Sequence, residues 1–108
     1  MIRLLLVDDQ DIFRQGLATL LSIEEDLEVV AQASNGKQAI ALTEKLQPDV
    51  ILMDIQMPIC DGVTATRKIC RRYPWMRILV LTTFDDDEYI GQSLQAGAKG
   101  YLLKRKPA

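Results

Sequence analysis

The stretch LLLVDDQD, residues 4–11, sets three aspartates directly behind an apolar run. Such a run is typical of a strand that is buried on both faces of a sheet. Burying a carboxylate costs free energy unless the charge is paired or bound to a metal. The cluster of Asp8, Asp9 and Asp11 at the end of this predicted strand therefore needs an explanation, since a buried charge there must be paired or bound to a metal.

Further apolar runs occur at regular intervals along the chain. Those at 2–7, 49–53 and 77–82 are nearly continuous, whereas those at 28–33 and 100–103 are weaker or shorter. These five predicted strands alternate with four amphipathic patterns that predict helices. The alternation predicts one small α/β domain, with a parallel sheet, right-handed crossovers and helices on both faces.

The predicted helices have recognisable faces and ends. The first has an apolar stripe formed by Phe13, Leu17, Leu20 and Leu21. Asp61 is placed to cap the third helix, and Pro74 is placed to end it. The acidic run at 85–88 favours the N-terminus of the fourth helix, where negative charge is stabilised.

Composition excludes several classes of function. The formal net charge of -2 argues against nucleic-acid binding by this chain. The absence of histidine excludes histidine-based catalysis and histidine-ligated zinc, so any metal would be held by oxygen, which favours magnesium or calcium. No apolar run is long enough to span a membrane, and the N-terminus starts on a strand without a signal peptide. We therefore expect a cytoplasmic protein.

Polar side chains meet at the carboxyl ends of the predicted strands. Asp8 and Asp9 follow the first strand, Asp54 the third, Thr82 ends the fourth and Lys104 follows the fifth. Ligands of open parallel sheets bind at these ends. A carboxylate can attack phosphorus, while lysine and threonine can bind phosphoryl oxygens. The pattern indicates Mg²⁺ binding and phosphoryl chemistry at one rim of the sheet.

Several short motifs, taken in order and spacing, resemble the receiver domain of bacterial two-component response regulators. They are VDDQ at 7–10, LMDIQMP at 52–58, CDG at 60–62, LTT at 81–83 and GYLLK at 100–104. The stretch from 81 to 104 is similar to the NarL/FixJ-like subfamily, whose output domain is a LuxR-type helix-turn-helix. The resemblance covers essentially the whole chain, and it implies a receiver domain over 1–108 with a flavodoxin-like, doubly wound fold and strand order 2-1-3-4-5.

The resemblance also implies a phosphoacceptor and a metal site. Asp54 would accept the phosphoryl group. Asp9 and Asp54 would bind Mg²⁺ through their carboxylates, and the backbone carbonyl of Gln56 would supply a third ligand. Asp8 would take part through a metal-bound water.

The resemblance further implies a conformational switch. Lys104 would pair with the phosphoryl oxygens, Thr82 would be the switch hydroxyl and Tyr101 the switch aromatic. The phosphodonor would be a partner histidine kinase, and transcription would be controlled by an output domain that is not in this chain. The chain would be a signalling switch and not an enzyme, apart from its own phosphorylation and slow dephosphorylation.

One departure from the family concerns the end of the sequence, which stops before the fifth helix of the family. We therefore expect a receiver domain truncated before its last helix, with an uncovered apolar face on helix one and strand five. A bare apolar patch is unusual on a soluble monomer. We expect the chain to form a homo-oligomer through this face.

Other functions fit parts of the same pattern. Phosphohydrolases of the haloacid dehalogenase type also use a strand-end aspartate, but they need a second acid two residues later, where this chain has Gln56. A binding module that works without phosphorylation would keep only the fold. A flavin-binding protein of this fold is disfavoured, because no Ser/Thr/Gly-rich phosphate loop follows the first strand.

Overall fold

The computed structural model describes residues 1–82 and 87–104, in which five strands alternate with four helices. The last residue of the LTT motif, the first half of the acidic run at 85–88 and the end of the sequence lie in the two ranges outside the described part of the chain, 83–86 and 105–108. The elements in chain order are β1 Ile2–Val7, α1 Asp11–Ser22, β2 Leu27–Ala33, α2 Gly36–Leu46, β3 Val50–Asp54, α3 Gly62–Arg72, β4 Arg77–Thr82, α4 Asp87–Ala96 and β5 Gly100–Leu103.

The five strands form one parallel sheet in the order β2-β1-β3-β4-β5, which confirms the predicted topology. The chain leaves β1 toward one edge of the sheet and returns to its other side with β3. The carboxyl ends of β1 and β3 therefore lie next to each other, at the point where the winding reverses. Open α/β sheets bind their ligands at this point.

The core has two layers, because successive strand residues point to opposite faces of the sheet. The larger layer lies under α2 and α3 and includes Leu5, Met53 and Val80. The smaller layer lies under α1 and includes Leu6 and Leu81. Burial on both faces explains why the strand sequences are almost continuously apolar.

The apolar stripe predicted on α1 is partly wrong. Phe13, Leu17 and Leu21 pack on the smaller core layer, but Leu20 is 66% exposed. The buried face of α1 is centred on Leu17, Ala18 and Leu21. At about 100° per residue, Leu20 falls at the edge of that face and points into solvent.

The start of α3 is tied closely to the end of β3. Asp61 caps the helix as predicted, with its Oδ1 accepting a hydrogen bond from the Thr64 N–H at 2.8 Å. The Gly62 N–H donates to the carbonyl of Ile55 at 2.7 Å. A Cβ atom at position 62 would lie 2.0 Å from the carbonyl oxygen of Asp54, so only glycine allows this approach.

No helix in the described ranges is both long and apolar enough to span a bilayer.

Candidate functional site

Two neighbouring strands bring three carboxylates together at one rim. Asp54 is the last residue of β3, and Asp8 and Asp9 follow β1 directly. Each of the three offers a carboxylate oxygen, and these oxygens lie within 4.8 Å of one another. Asp8 and Asp54 are buried, whereas Asp9 is exposed. Asp11, the third acid of the opening stretch, belongs to α1 and pairs instead with Arg14 at 2.9 Å.

Lys104 enters the same site from the end of β5. Its Nζ lies 2.7 Å from Oδ2 of Asp8 and 3.4 Å from Oδ1 of Asp54. Within the described part of the chain, this ammonium is the one polar contact of the buried Asp8 Oδ2. The side chains of the lysine and both aspartates are largely removed from water, so the attraction is screened less than in a surface ion pair.

The lysine does not neutralise the site, and Asp54 shows the excess of negative charge. Burial, followed by the charge of Asp8, raises the pKa of the Asp54 carboxyl from 3.8 to about 7. The Lys104 ammonium opposes this rise, and a side-chain hydrogen bond and the charge of Asp9 add to it. A cation placed among the three carboxylates would lower the pKa of Asp54, because an opposite charge favours the ionised form.

The donor set fits a hard divalent cation. All three side chains offer carboxylate oxygens, the ligands that Mg²⁺ takes in proteins. Asp9 is exposed, which leaves one side of the cluster open to water. Gln56, whose backbone carbonyl was the further predicted ligand, is exposed in the loop two residues beyond Asp54.

The two predicted switch residues lie on adjacent strands. Thr82 ends β4 and is 1% exposed, whereas Tyr101 lies on the edge strand β5 and is 48% exposed. Val80 pairs with Tyr101 in the register of these strands, and Thr82 pairs with Leu103. Tyr101 and Thr82 therefore project from the same face of the sheet, since paired residues share a face and alternate residues return to it. The Lys104 N–H also donates to the Thr82 carbonyl at 2.6 Å.

Sequence reasoning did not find Arg14, which supports the loop that carries the first two aspartates. Its Nη1 donates to the backbone carbonyl of Asp8 at 2.6 Å, and its Nε donates to Oε1 of Gln32 at 3.0 Å. The loop after β1 is thereby tied to α1 and β2. The available signal in the sequence was an arginine directly after Phe13 of the predicted apolar stripe of α1. An arginine side chain that is buried at such a position needs polar partners.

Comparison with known proteins agrees with this geometry. A family model for the response regulator receiver domain matches residues 4–108. The chain is 48% identical over 104 residues to the transcriptional regulatory protein LnrK of Bacillus subtilis (strain 168), an alignment that covers 96% of this chain and 47% of LnrK. LnrK and two further relatives are named as transcriptional regulatory proteins. The chain spans about half the length of the curated relatives it matches.

Solved structures show the same fold. The signal receiver domain of the putative response regulator NarL from Mycobacterium tuberculosis has a TM-score of 0.89 and 34% identity, covering 98% of this chain and 86% of that one. A two-component response regulator of the LuxR family from Aurantimonas sp. SI85-9A1 has a TM-score of 0.91 and 33% identity, covering 98% and 76%. This chain therefore belongs to the receiver domain family of two-component response regulators, among the LuxR- and NarL-type members.

Proposed function

We propose that Asp54 accepts a phosphoryl group from a partner histidine kinase, and that its phosphorylation switches the conformation of the domain. The observation that carries this proposal is the placement of the Asp54 carboxylate, which lies at a strand end beside two further carboxylates and 3.4 Å from the Lys104 ammonium. The attacking Asp54 oxygen forms a bond to phosphorus. The bond from phosphorus to the donor's imidazole nitrogen breaks, and that nitrogen keeps the electron pair.

Receiver domains generally bind Mg²⁺, and the carboxylate cluster of this chain could hold it. We propose Asp9 and Asp54 as carboxylate ligands, the Gln56 carbonyl as a third ligand and Asp8 as a partner through water. When bound, the ion neutralises negative charge on the transferred group. Asp9 suits direct ligation because its carboxylate is exposed at the open side of the cluster. Asp8 suits an outer role because its Oδ2 already faces Lys104.

The lysine is placed to change partners. Before phosphorylation its ammonium faces Asp8 and Asp54. After transfer, the phosphoryl oxygens on Asp54 are the stronger acceptors, so the ammonium pairs with them as a charge-assisted hydrogen-bond donor. Because Lys104 and Thr82 are joined through their backbones, we propose that the hydroxyl of Thr82 moves to the same phosphoryl group.

Tyr101 would complete the switch. It shares a sheet face with Thr82 and is half exposed on the edge strand, where a rotation of its side chain meets little packed structure. The inward movement of Thr82 leaves space for the ring. A local charge change would thus bias an element with two arrangements and alter the surface around α4 and β5.

A proposal about the control of transcription follows from the relatives. Those with the matched region are named transcriptional regulatory proteins, and the match occupies about half of their length. We propose that phosphorylation of this domain controls a DNA-binding output region outside these 108 residues. We propose that this chain contributes the switch and takes part in its own phosphorylation and slow dephosphorylation.

We also propose that the isolated chain self-associates through the face formed by α1 and β5. Leu102 is 47% exposed and lies in register with Leu81, whose side chain faces α1. Leu79 on β4 is only partly buried on the same face. A second copy would cover these apolar side chains.

Intact mass spectrometry after incubation with acetyl phosphate and Mg²⁺ tests the acceptor. One phosphoryl adduct should form on the wild-type chain, and it should be absent with EDTA or in Asp54→Asn. Asp61→Asn is the matched control, because asparagine caps a helix as well as aspartate and Asp61 lies outside the carboxylate cluster. An adduct that persists in Asp54→Asn would place the phosphoryl group elsewhere.

A further inference from the structure

The Lys104 ammonium is held on one side by two neutral groups from the start of α1. Its Nζ lies 4.6 Å from the centroid of the Phe13 ring and 3.1 Å from Oε1 of Gln10. The two carboxylates, Asp8 and Asp54, approach the same nitrogen. The side chain of this lysine is 11% exposed, so its charge is largely removed from water.

Gln10 occupies a helix position where other residue types are preferred. It is the N-cap of α1, where Ser, Thr, Asp and Asn are preferred, and its side chain makes no capping hydrogen bond within the described structure. By contrast, Asn35 and Asp61 cap α2 and α3 through their side chains. The Gln10 side chain reaches Lys104 instead, and its backbone N–H donates to Oδ1 of Asp8 at 2.8 Å. Local rules are most often broken at functional sites.

Phe13 has a role beyond packing in the smaller core layer. It is only partly buried there, and its ring stands close to the ammonium at a distance typical of a cation–π contact. Lys104 lies two residues after Leu102, and alternate residues of a strand point to the same face of the sheet. The Lys104 side chain therefore lies on the α1 face, where it contacts Phe13.

Neutral partners suit this site better than charged ones. A further carboxylate would raise the negative charge around Asp54 and compete with the phosphoryl group for the lysine. An amide oxygen and an aromatic face attract the ammonium without adding net charge. The lysine is thereby kept in place while its positive charge stays available to an incoming phosphoryl group.

We propose that Gln10 and Phe13 are positioning residues that hold the Lys104 ammonium between Asp8 and Asp54 before phosphorylation. This inference rests on the proposed function of Lys104 as the partner of the phosphoryl oxygens. Orienting the ammonium in advance removes an ordering cost from the transfer step.

The first measurement needs neither metal nor phosphodonor. In NMR spectra of the full 108-residue chain, labelled at lysine Cε, the Lys104 Hε resonances should lie upfield of the other lysines because of the Phe13 ring current. Phe13→Leu should remove this shift, whereas Phe13→Tyr, which keeps the ring, should retain it. A wild-type Lys104 resonance at the position of solvent-exposed lysines would overturn the placement.

The second measurement separates positioning from helix capping. Gln10→Asn supplies a better N-cap but is one methylene shorter, so it should keep or raise the stability of the fold while releasing Lys104. Phosphorylation by acetyl phosphate with Mg²⁺ should slow by roughly ten- to a hundredfold, since a misplacement of about 1 Å can cost up to about a hundredfold in rate. Gln15→Asn, on the exposed side of the same helix, is the control and should react at the wild-type rate.

The outcomes that would refute the positioning role differ from those that would refute the proposed function. Wild-type phosphorylation rates in both Gln10→Asn and Phe13→Leu would overturn the positioning role and leave Asp54 as the acceptor. Absence of phosphorylation at Asp54 in the wild-type chain would overturn the proposed function. The Lys104 Hε shift would still report the contact with Phe13 in that case.

Discussion

The Lys104 ammonium and the Asp8 carboxylate form a largely buried ion pair, with 2.7 Å between Nζ and Oδ2. Asp8 follows β1 and Lys104 follows β5, so the pair joins a central strand to the edge of the sheet. A buried charge that loses its partner is costly, because its desolvation is no longer compensated. The lysine therefore links the carboxylate site to the edge strand that carries Tyr101.

Lys104→Ala should uncouple phosphorylation from switching. The variant keeps the carboxylate cluster, but no ammonium is left to follow the phosphoryl group and move the end of β5. Chemical-shift changes at Thr82 and Tyr101 on addition of beryllofluoride and Mg²⁺ should shrink relative to wild type. Lys99→Ala, at an exposed lysine just before β5, should behave as wild type. Changes of wild-type size in Lys104→Ala would contradict the role of this lysine.

Asp54→Asn should stabilise the metal-free domain at neutral pH. The pKa of Asp54 is raised from 3.8 to about 7 in the folded state, so its contribution to stability is present below pH 4 and is lost as the pH rises to 7. At pH 7.5 in EDTA, we expect the variant to be more stable by on the order of 2 kcal/mol, less than the full shift would give because solvent partly screens the site.

Urea unfolding of Asp54→Asn and wild type at pH 3.5 and pH 7.5 provides the measurement. The stability difference should appear only at the higher pH. An equal difference at both pH values would mean that the charge of Asp54 is not the cause.

Gly62→Ala should destabilise the fold and impair phosphorylation. The new Cβ would lie 2.0 Å from the carbonyl oxygen of Asp54, so α3 or the end of β3 must shift. Overpacking of this kind costs about 1 to 3 kcal/mol. Gly16→Ala in α1 is the control: no atom lies within 4 Å of the added Cβ, and stability should rise by about 0.5 to 1 kcal/mol. Chemical denaturation of both variants checks this, and a harmless Gly62→Ala would refute the packing account.

Leu102→Glu should weaken self-association of the isolated 108-residue chain. Leu102 is 47% exposed on the face under α1, and a carboxylate there opposes contact with a second copy. Covering roughly 300 Å² of apolar surface contributes up to about 7 kcal/mol, which offsets part of the entropy lost on association. Light scattering over a dilution series compares the two, with Ile59→Glu, at an exposed residue of another surface, as the control. A wild-type chain that is monomeric at all concentrations would refute self-association.

Much of the architecture could be predicted from the sequence. The apolar runs at 2–7, 77–82 and 100–103 coincide with β1, β4 and β5, and the order of the strands is as expected. Strands buried on both faces need continuous apolar sequence, so local composition suffices to find them. The sequence also placed Asp8, Asp9, Asp54 and Lys104 at one rim, because parallel strands end on the same side of a sheet.

Only the tertiary structure decided which of these residues are buried and which partners their side chains contact. It buries Asp8 and exposes Asp9, it directs Lys104 to the α1 face against Phe13, and it turns the Gln10 side chain from helix capping to the lysine. It also exposes Leu20, which the periodicity of α1 had assigned to the core. These outcomes depend on which face of the sheet each strand residue points to and on how α1 lies across the sheet. Both are set by packing between segments far apart in the chain, which no local pattern of residues records.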